Sequence, residues 1–388
     1  MTLQSSAPRT VVPDKPLVFV VGARGIPDVE GGAEKNAEML FPRIVAAGFN
    51  VTVVGMSHLM QGGDYLGVDR IAIPTRRLLN TDKLPYYISA IKICWKLRPD
   101  IVHLQGLGAA LFLWAYKAMG CRIVVRYGSV DHTVSKWGFV GRLGFRAAEF
   151  QLRFADAVIS VAPALTRRLA QFGIADRVHS IPNAIDVAPL GELVDVAETR
   201  DPIPYALFVG RVTAQKNVLA LIEAFDHFAE MVGQPWRLLI AGGLDDTHYV
   251  EMVRKAIGAN PNIVLMGRCD RQKLEVLYRR SGLFINPSVH EGSSNATLEA
   301  VSRDCAVIIS DIPENRDFPL EDRSFFNPYD VKAIASKLLE VSQHRDTFRP
   351  DKRSFLTWAH VAERTAEIYR QWPRRAETPE HVTSARRH

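Results

Sequence analysis

Two glutamates, Glu291 and Glu299, are separated by seven residues in "HEGSSNATLEA" (290–300). The apolar run "SGLFINPSV" precedes them, and Ser293, Ser294 and Asn295 are of the types that cap a helix N-terminus. This spacing places Glu291 in a loop, with Gly292, at the carboxyl edge of a sheet, and Glu299 in the second turn of the helix that follows. Backbone amides of residues 293–296 would then be free to meet phosphate oxygens. In "FVGRVTAQKN" (208–217), Gly210, Arg211 and Lys216 stand where a strand opens onto a helix. Two cations there suit a diphosphate, which calls for distributed positive charge. Carboxylates for hydroxyls, with cations and amides for a diphosphate, match the groups of a nucleotide sugar. On residue type alone the other reading stays open, that these are ordinary solvent-facing side chains.

A third loop, "GARGIPDVEGGAE" (22–34), sets Gly31 and Gly32 directly before a helix, where a missing Cβ lets backbone approach a ligand or merely serves a turn. The dinucleotide fingerprint is absent. "GLGAAL" (106–111) comes nearest but ends in Leu111, where close helix–strand packing wants Gly or Ala. No nucleic-acid-binding motif accompanies the basic residues, so no nucleic acid partner is expected. No Asp-x-Asp occurs, so neither a phosphate-bridging metal nor any other cofactor is expected. Cys94, Cys121, Cys269 and Cys305 are scattered without metal or disulfide spacing, which fits a reducing, cytoplasmic compartment.

The elements that must position these groups follow from periodicity. With 388 residues, 47% hydrophobic and 23% charged, the chain reads as a soluble globular protein of two domains. No apolar run of transmembrane length is present. Short β-branched runs at 17–22, 50–55, 100–104, 122–127 and 156–161 alternate with helical patterns at 33–47, 85–97, 108–119, 141–154 and 163–172. After a Pro- and Asp-rich stretch (181–204) the alternation resumes. Strands are expected at 205–210, 236–242, 262–267, 282–287 and 305–310, with helices near 217–232, 247–258, 270–280, 294–303 and 330–342. The expected fold is α/β, two Rossmann-like domains facing across a cleft, with ligands beyond the carboxyl ends of the strands. The expected division is a flexible tail (1–15), an N-terminal domain (16–190), a linker (191–204) and a C-terminal domain (205–350). An amphipathic helix (355–371) and a polar tail (372–388) follow.

Charge is uneven. Residues 1–190 hold 22 Lys+Arg against 14 Asp+Glu, net +8, whereas the remainder is net −2. A basic half faces something anionic or is simply well solvated. The segments 86–98 and 141–154 mix cations with aromatics at helical spacing. Such helices lie on an anionic membrane surface or pack on a core with cationic outer faces. Peripheral contact with the inner face of a membrane is the expectation.

Taken in order, four landmarks resemble retaining glycosyltransferases of the GT-B fold, the family that includes sucrose synthase and bacterial mannosyl- and rhamnosyltransferases. "HEGSSNATLEA" resembles the family's E-x7-E motif, "FVGRVTAQKN" its Arg-x4-Lys diphosphate site, "GGAE" its N-terminal glycine loop, and "IPNAID" (181–186) the segment entering its linker. The likeness covers about residues 17–345, and "GARGIP" with "KWG" (136–138) is similar to bacterial polysaccharide enzymes. The resemblance implies that Arg211 and Lys216 hold the diphosphate of a nucleotide-sugar donor. Glu291 would meet the sugar and Glu299 the ribose. Met266, Gly267 and Arg268 would lie against the base, and Gly31 and Gly32 would leave room for phosphate and acceptor. It further implies metal-independent, front-face transfer to a glycan or lipid-linked glycan, and a final helix crossing back to the N-terminal domain. Tyr127-Gly128 stands where the family often has His-Gly, so no catalytic histidine is assigned there. Tyr127 is a candidate for contact with sugar or acceptor, and Asp131 and His132 remain for such contact or for a structural role. A sugar-nucleotide epimerase or hydrolase with the same cleft is the alternative.

Overall fold

The computed structural model describes residues 15–29, 31–75, 83–128, 139–186, 194–200 and 202–372. Most of both expected tails, part of the expected linker, Asp131, His132 and the "KWG" at 136–138 lie outside the described residues.

Two doubly wound sheets account for the described chain. The first comprises β1 (Leu17–Val21), β2 (Asn50–Met56), β3 (Gly63–Tyr65), β4 (Val68–Ile73), β5 (Ile101–Gln105), β6 (Arg122–Tyr127), β7 (Ala157–Ser160) and β8 (Val178–Ser180), in the order 3-4-2-1-5-6-7-8. The second comprises β9 (Tyr205–Val209), β10 (Arg237–Ala241), β11 (Ile263–Gly267), β12 (Leu283–Asn286), β13 (Val307–Ser310) and β14 (Phe325–Phe326), in the order 11-10-9-12-13-14. All pairings are parallel except the β3–β4 hairpin. The ten strands expected from apolar runs are present. The additions, β3, β4, β8 and β14, sit at or beside sheet edges, where short or half-exposed strands need no continuous apolar run.

Helices on the first lobe are α1 (Gly32–Ala46), α2 (Lys83–Leu97), α3 (Leu107–Ala110), α4 (Leu113–Ala118), α5 (Phe139–Gln151) and α6 (Pro163–Ala170). Those on the second are α7 (Val218–Met231), α8 (Thr247–Ile257), α9 (Arg271–Arg280), α10 (Asn295–Ser302) and α11 (Val331–Gln343). The last helix, α12 (Trp358–Arg370), follows the second lobe in sequence but packs on the first. Its Trp358, Val361, Ala366 and Tyr369 share a core with Phe41 and Ile44 of α1 and with Val18 and Val20 of β1. Phe19 and Val21 face the opposite layer with Tyr86 and Tyr116, as the two-residue period of a strand requires. Each such burial contributes about 1.5–3 kcal/mol, so α12 belongs physically to the first lobe. Both chain crossings lie side by side, where Ile185 bridges Thr357 and its N–H donates to the Leu356 carbonyl at 2.9 Å.

In each sheet the strand order reverses once beside the first strand, between β1 and β5 and between β9 and β12. Loops leaving the two strands at such a reversal diverge and open a crevice. In the second lobe those are the loops that carry Arg211–Lys216 and Glu291. In the first lobe, one is the loop ending at Gly31.

Candidate active site

The loop after β9 is built by close backbone approach. The Gly210 N–H donates to Ala241 and the Val212 N–H to Gly243, each at 2.9 Å. Gly242, at φ +149°, lies so near that a Cβ there would fall 2.0 Å from the Gly210 carbonyl oxygen. A turn over Ala214–Lys216 follows, then Asn217 in the left-handed region, its amide donating to the Pro328 carbonyl at 2.8 Å before α7 begins. Gln215 clamps this loop to the one after β12. Its carbonyl accepts from the Val289 N–H at 3.0 Å, and its side chain donates to the His290 carbonyl at 2.8 Å.

The clamp seats Lys216 against Glu291, Nζ to Oε1 at 2.5 Å, with side chains only 18% and 8% exposed. The same Oε1 accepts from Ser288 Oγ at 2.7 Å and Asn286 Nδ2 at 3.2 Å. Glu291 therefore braces its own loop through Oε1, and among the described residues Oε2 carries no hydrogen bond. Arg211 is exposed and, among the described residues, has no hydrogen bond or ion pair. It is the open cation of the pair. Beside the clamp, the Glu314 carboxylate 3.4 Å from His290 Nδ1 raises the imidazole pKa above its ordinary value.

Ser294 caps α10, its Oγ accepting from the Thr297 N–H at 3.3 Å while Asn286 donates to that oxygen at 3.1 Å. Ser294 is buried, whereas Gly292, Ser293 and Asn295 are half-buried along the loop and first turn. Glu299, in the second turn, accepts from the Tyr278 hydroxyl at 3.1 Å and lines a small pocket with Asn295, Arg303, Asp186, Lys35 and Trp358. That pocket draws on both lobes. Met266 and Gly267 end β11, where the Gly267 carbonyl accepts from the Gly242 N–H at 2.8 Å. Arg268 turns outward to Asp245 at 2.9 Å.

Across the seam, Gly31 and Gly32 open α1. A Cβ on Gly31 would fall 2.0 Å from Glu34 Oε2, because the buried Glu34 folds back to pair with Arg24 at 2.8 Å. Gly32 faces Asn295, whose Nδ2 would lie 3.6 Å from an added Cβ. The glycine loop of one lobe thus meets the helix start of the other, and Arg271 joins Glu38 across the same seam at 3.1 Å.

Tyr127 requires a correction. It is wholly buried, its hydroxyl donates to Glu149 at 2.6 Å, and it offers no surface to sugar or acceptor. The strand period explains this, since Ile123, Val125 and Tyr127 share one core face of β6. Asp131 and His132 lie outside the described residues. Sequence reasoning missed Gln215, Gly242, Asn286 and Ser288. Only their polar or glycine character in otherwise apolar strand ends marked them.

Comparisons with known proteins agree with this fold. The profile described as "Glycosyl transferases group 1" matches residues 203–344, and that described as "Glycosyltransferase Family 4" matches residues 30–189. The chain is 27% identical to the alpha-maltose-1-phosphate synthase of Mycolicibacterium smegmatis, across 56% of this chain and 63% of that protein. It is 28% identical to the GDP-mannose:cellobiosyl-diphosphopolyprenol alpha-mannosyltransferase of Xanthomonas campestris, across 55% of this chain and 56% of that protein. The alignments thus span less than two thirds of these relatives. Sucrose-phosphate synthase from Thermosynechococcus elongatus shares the fold, with a TM-score of 0.75 at 18% identity over 92% of this chain and 98% of that one. Two parallel-sheet lobes with the cleft residues between them define the GT-B fold. The chain has that fold, and its two lobes each match a glycosyltransferase profile.

Proposed function

We propose that the chain transfers a sugar from a nucleoside-diphosphate sugar to a hydroxyl of a glycan or lipid-linked glycan, with retention at the anomeric carbon and without a metal. The observation that carries this reading is the Lys216–Glu291 pair, clamped at the strand-order reversal beside the start of α10 and opposite Gly31 and Gly32. An ammonium has three donors, so Lys216 keeps donors for a phosphate while Glu291 holds it in place. Arg211 and the first amides of α10 complete an electropositive seat where leaving-group charge develops. The bond from the anomeric carbon to the diphosphate oxygen breaks, and that oxygen takes the electron pair. The acceptor hydroxyl bonds to the carbon on the same face, and its proton passes to the departing phosphate. Glu291 Oε2 receives a sugar hydroxyl, Glu299 the ribose, and the end of β11 at Met266–Gly267 lies against the base.

A mannosyltransferase that by name uses a diphosphopolyprenol-linked glycan supports a lipid-linked acceptor and a place in bacterial exopolysaccharide, capsule or lipopolysaccharide synthesis. It also favours transfer over epimerisation or hydrolysis. A panel of sugar nucleotides, scored for nucleoside-diphosphate release with and without candidate acceptors, tests the reading. One donor is expected to turn over. Glu299→Ala should raise KM for that donor about 10- to 100-fold, the worth of hydrogen bonds to a charged group, with a smaller change in kcat. No release from any sugar nucleotide would sink the proposal.

The acceptor lobe also supports peripheral membrane contact at the cytoplasmic face. Among the described residues no helix is long and apolar enough to cross a membrane. Trp95, Trp114, Leu143, Phe150 and Phe154 are each at least half exposed on α2, α4, α5 and the turn after α5, and Arg153 stacks 3.7 Å over Phe150. Aromatics interleaved with cations seat a protein on anionic headgroups. Cosedimentation with vesicles containing anionic lipid should exceed that with neutral vesicles at least tenfold at low salt and fall as salt rises. Equal partitioning would remove the membrane from the reading.

A further inference from the structure

Arg126 is a buried cation without an anion. The residue is 4% exposed, and among the described residues no carboxylate pairs with it and its buried Nη1 has no hydrogen-bond partner. Burial pushes its pKa down to about 10, so it is still charged at neutral pH. Only amides serve it. Turned so that its oxygen faces the guanidinium, the Asn36 amide would accept from Nε and Nη2 at 3.2 Å, and Asn183 Oδ1 accepts from Nη2 at 2.6 Å. A buried charge held only by neutral groups bears a desolvation cost that no carboxylate offsets. Its value therefore lies in what it holds.

What it holds crosses the seam. Asn183, in the segment leaving the first lobe, uses its Nδ2 to donate to Asn295 Oδ1 at 2.9 Å and faces the Ser293 carbonyl at 3.4 Å. Asn295 begins α10 and Ser293 lies just before its cap. An amide fixed at its oxygen end by Arg126 has its donor end fixed as well, and that end points at the backbone where the phosphate seat is built.

We infer that Arg126 and Asn183 are positioning residues, an amide relay from the core of the acceptor lobe that sets the entry of α10 across the cleft. The kinetic part rests on the transferase reading above; the structural part does not. Two variants separate the links. Asn183→Asp keeps an acceptor for Arg126 but cannot donate to Asn295 or Ser293. Arg126→Met removes the anchor; it relieves the desolvation cost but leaves the Asn183 and Asn36 oxygens without their donor. Hydrogen exchange without substrate is read at residues 293–299. In both variants it should quicken at least about tenfold there while the β9 and β12 amides stay as in wild type. With an active sugar nucleotide, kcat should fall about 10- to 100-fold and donor KM change less, as for a seat misplaced rather than removed. Wild-type exchange at 293–299 in both variants would overturn the relay. If either variant fails to fold, the other decides. Absence of turnover in the wild-type protein would sink the transferase reading and leave the exchange result to judge the relay.

Discussion

On the transferase reading proposed above, Lys216→Met is expected to lower kcat/KM for sugar transfer by about 10³, because it would remove a fixed cation from the oxygen that gains charge as the bond to the sugar breaks. It carries a second cost. Glu291 is almost fully buried and keeps Ser288 and Asn286 but loses its ammonium partner. Stripping one member from a buried pair destabilises by about 3–5 kcal/mol. A double variant, Lys216→Met with Glu291→Gln, distinguishes the two effects. A neutral amide can still accept from Ser288 and Asn286, so urea denaturation should show most of the stability restored. Transfer should stay at least 10²-fold below wild type, since the cation is still absent. Recovery of transfer along with stability would reduce the pair to a brace for the loop and would move the diphosphate seat elsewhere.

That pair also shows what the sequence could and could not convey. The alternation of β-branched runs with helical patterns announced both sheets, because a parallel sheet covered on two faces needs continuous apolar strands. The four landmark loops could be ordered along the chain for the same reason. Their joint position became meaningful only with the strand order, since a crevice exists only where neighbours in space diverge. Glu291 was legible as a carboxylate in a loop, but its tie to Lys216, 75 positions earlier, depends on the Gln215 clamp. Tyr127 was misread by analogy although the period of β6 already turned it toward Ile123 and Val125. The same period sets Arg126 on the other face, with Val124 and the α1–α12 layer. A lone arginine in an apolar strand was the available signal, and no partner for it was visible until Asn183 came within reach.

Gly242→Ala should be among the most damaging single substitutions in the second lobe, although Gly242 lies outside every motif quoted above. Its φ of +149° is one that L residues rarely adopt, and the new Cβ would sit 2.0 Å from the Gly210 oxygen and 2.5 Å from its carbonyl carbon. Both are backbone atoms, so no rotamer change relieves the contact. The ends of β9 and β10 must part, breaking the Gly210–Ala241 and Val212–Gly243 bonds that place Arg211. Combined strain and lost packing should cost about 3 kcal/mol or more. Displacing the cations by about 1 Å should lower turnover about 10²-fold in whatever protein remains folded. Gly267→Ala is the matched control for stability. Its φ is +68° and its Cβ would meet only Leu244 Cδ1 at 4.0 Å, so it should cost only the left-handed penalty of about 1–2 kcal/mol. Urea denaturation of the two variants should therefore rank Gly242→Ala well below Gly267→Ala. Titration with nucleoside diphosphate should show Gly242→Ala binding at least tenfold more weakly than wild type. Equal stability in the two variants would mean that the Gly210–Gly242 approach relaxes freely. Wild-type affinity would mean that the β9 loop does not need this approach to hold its cations.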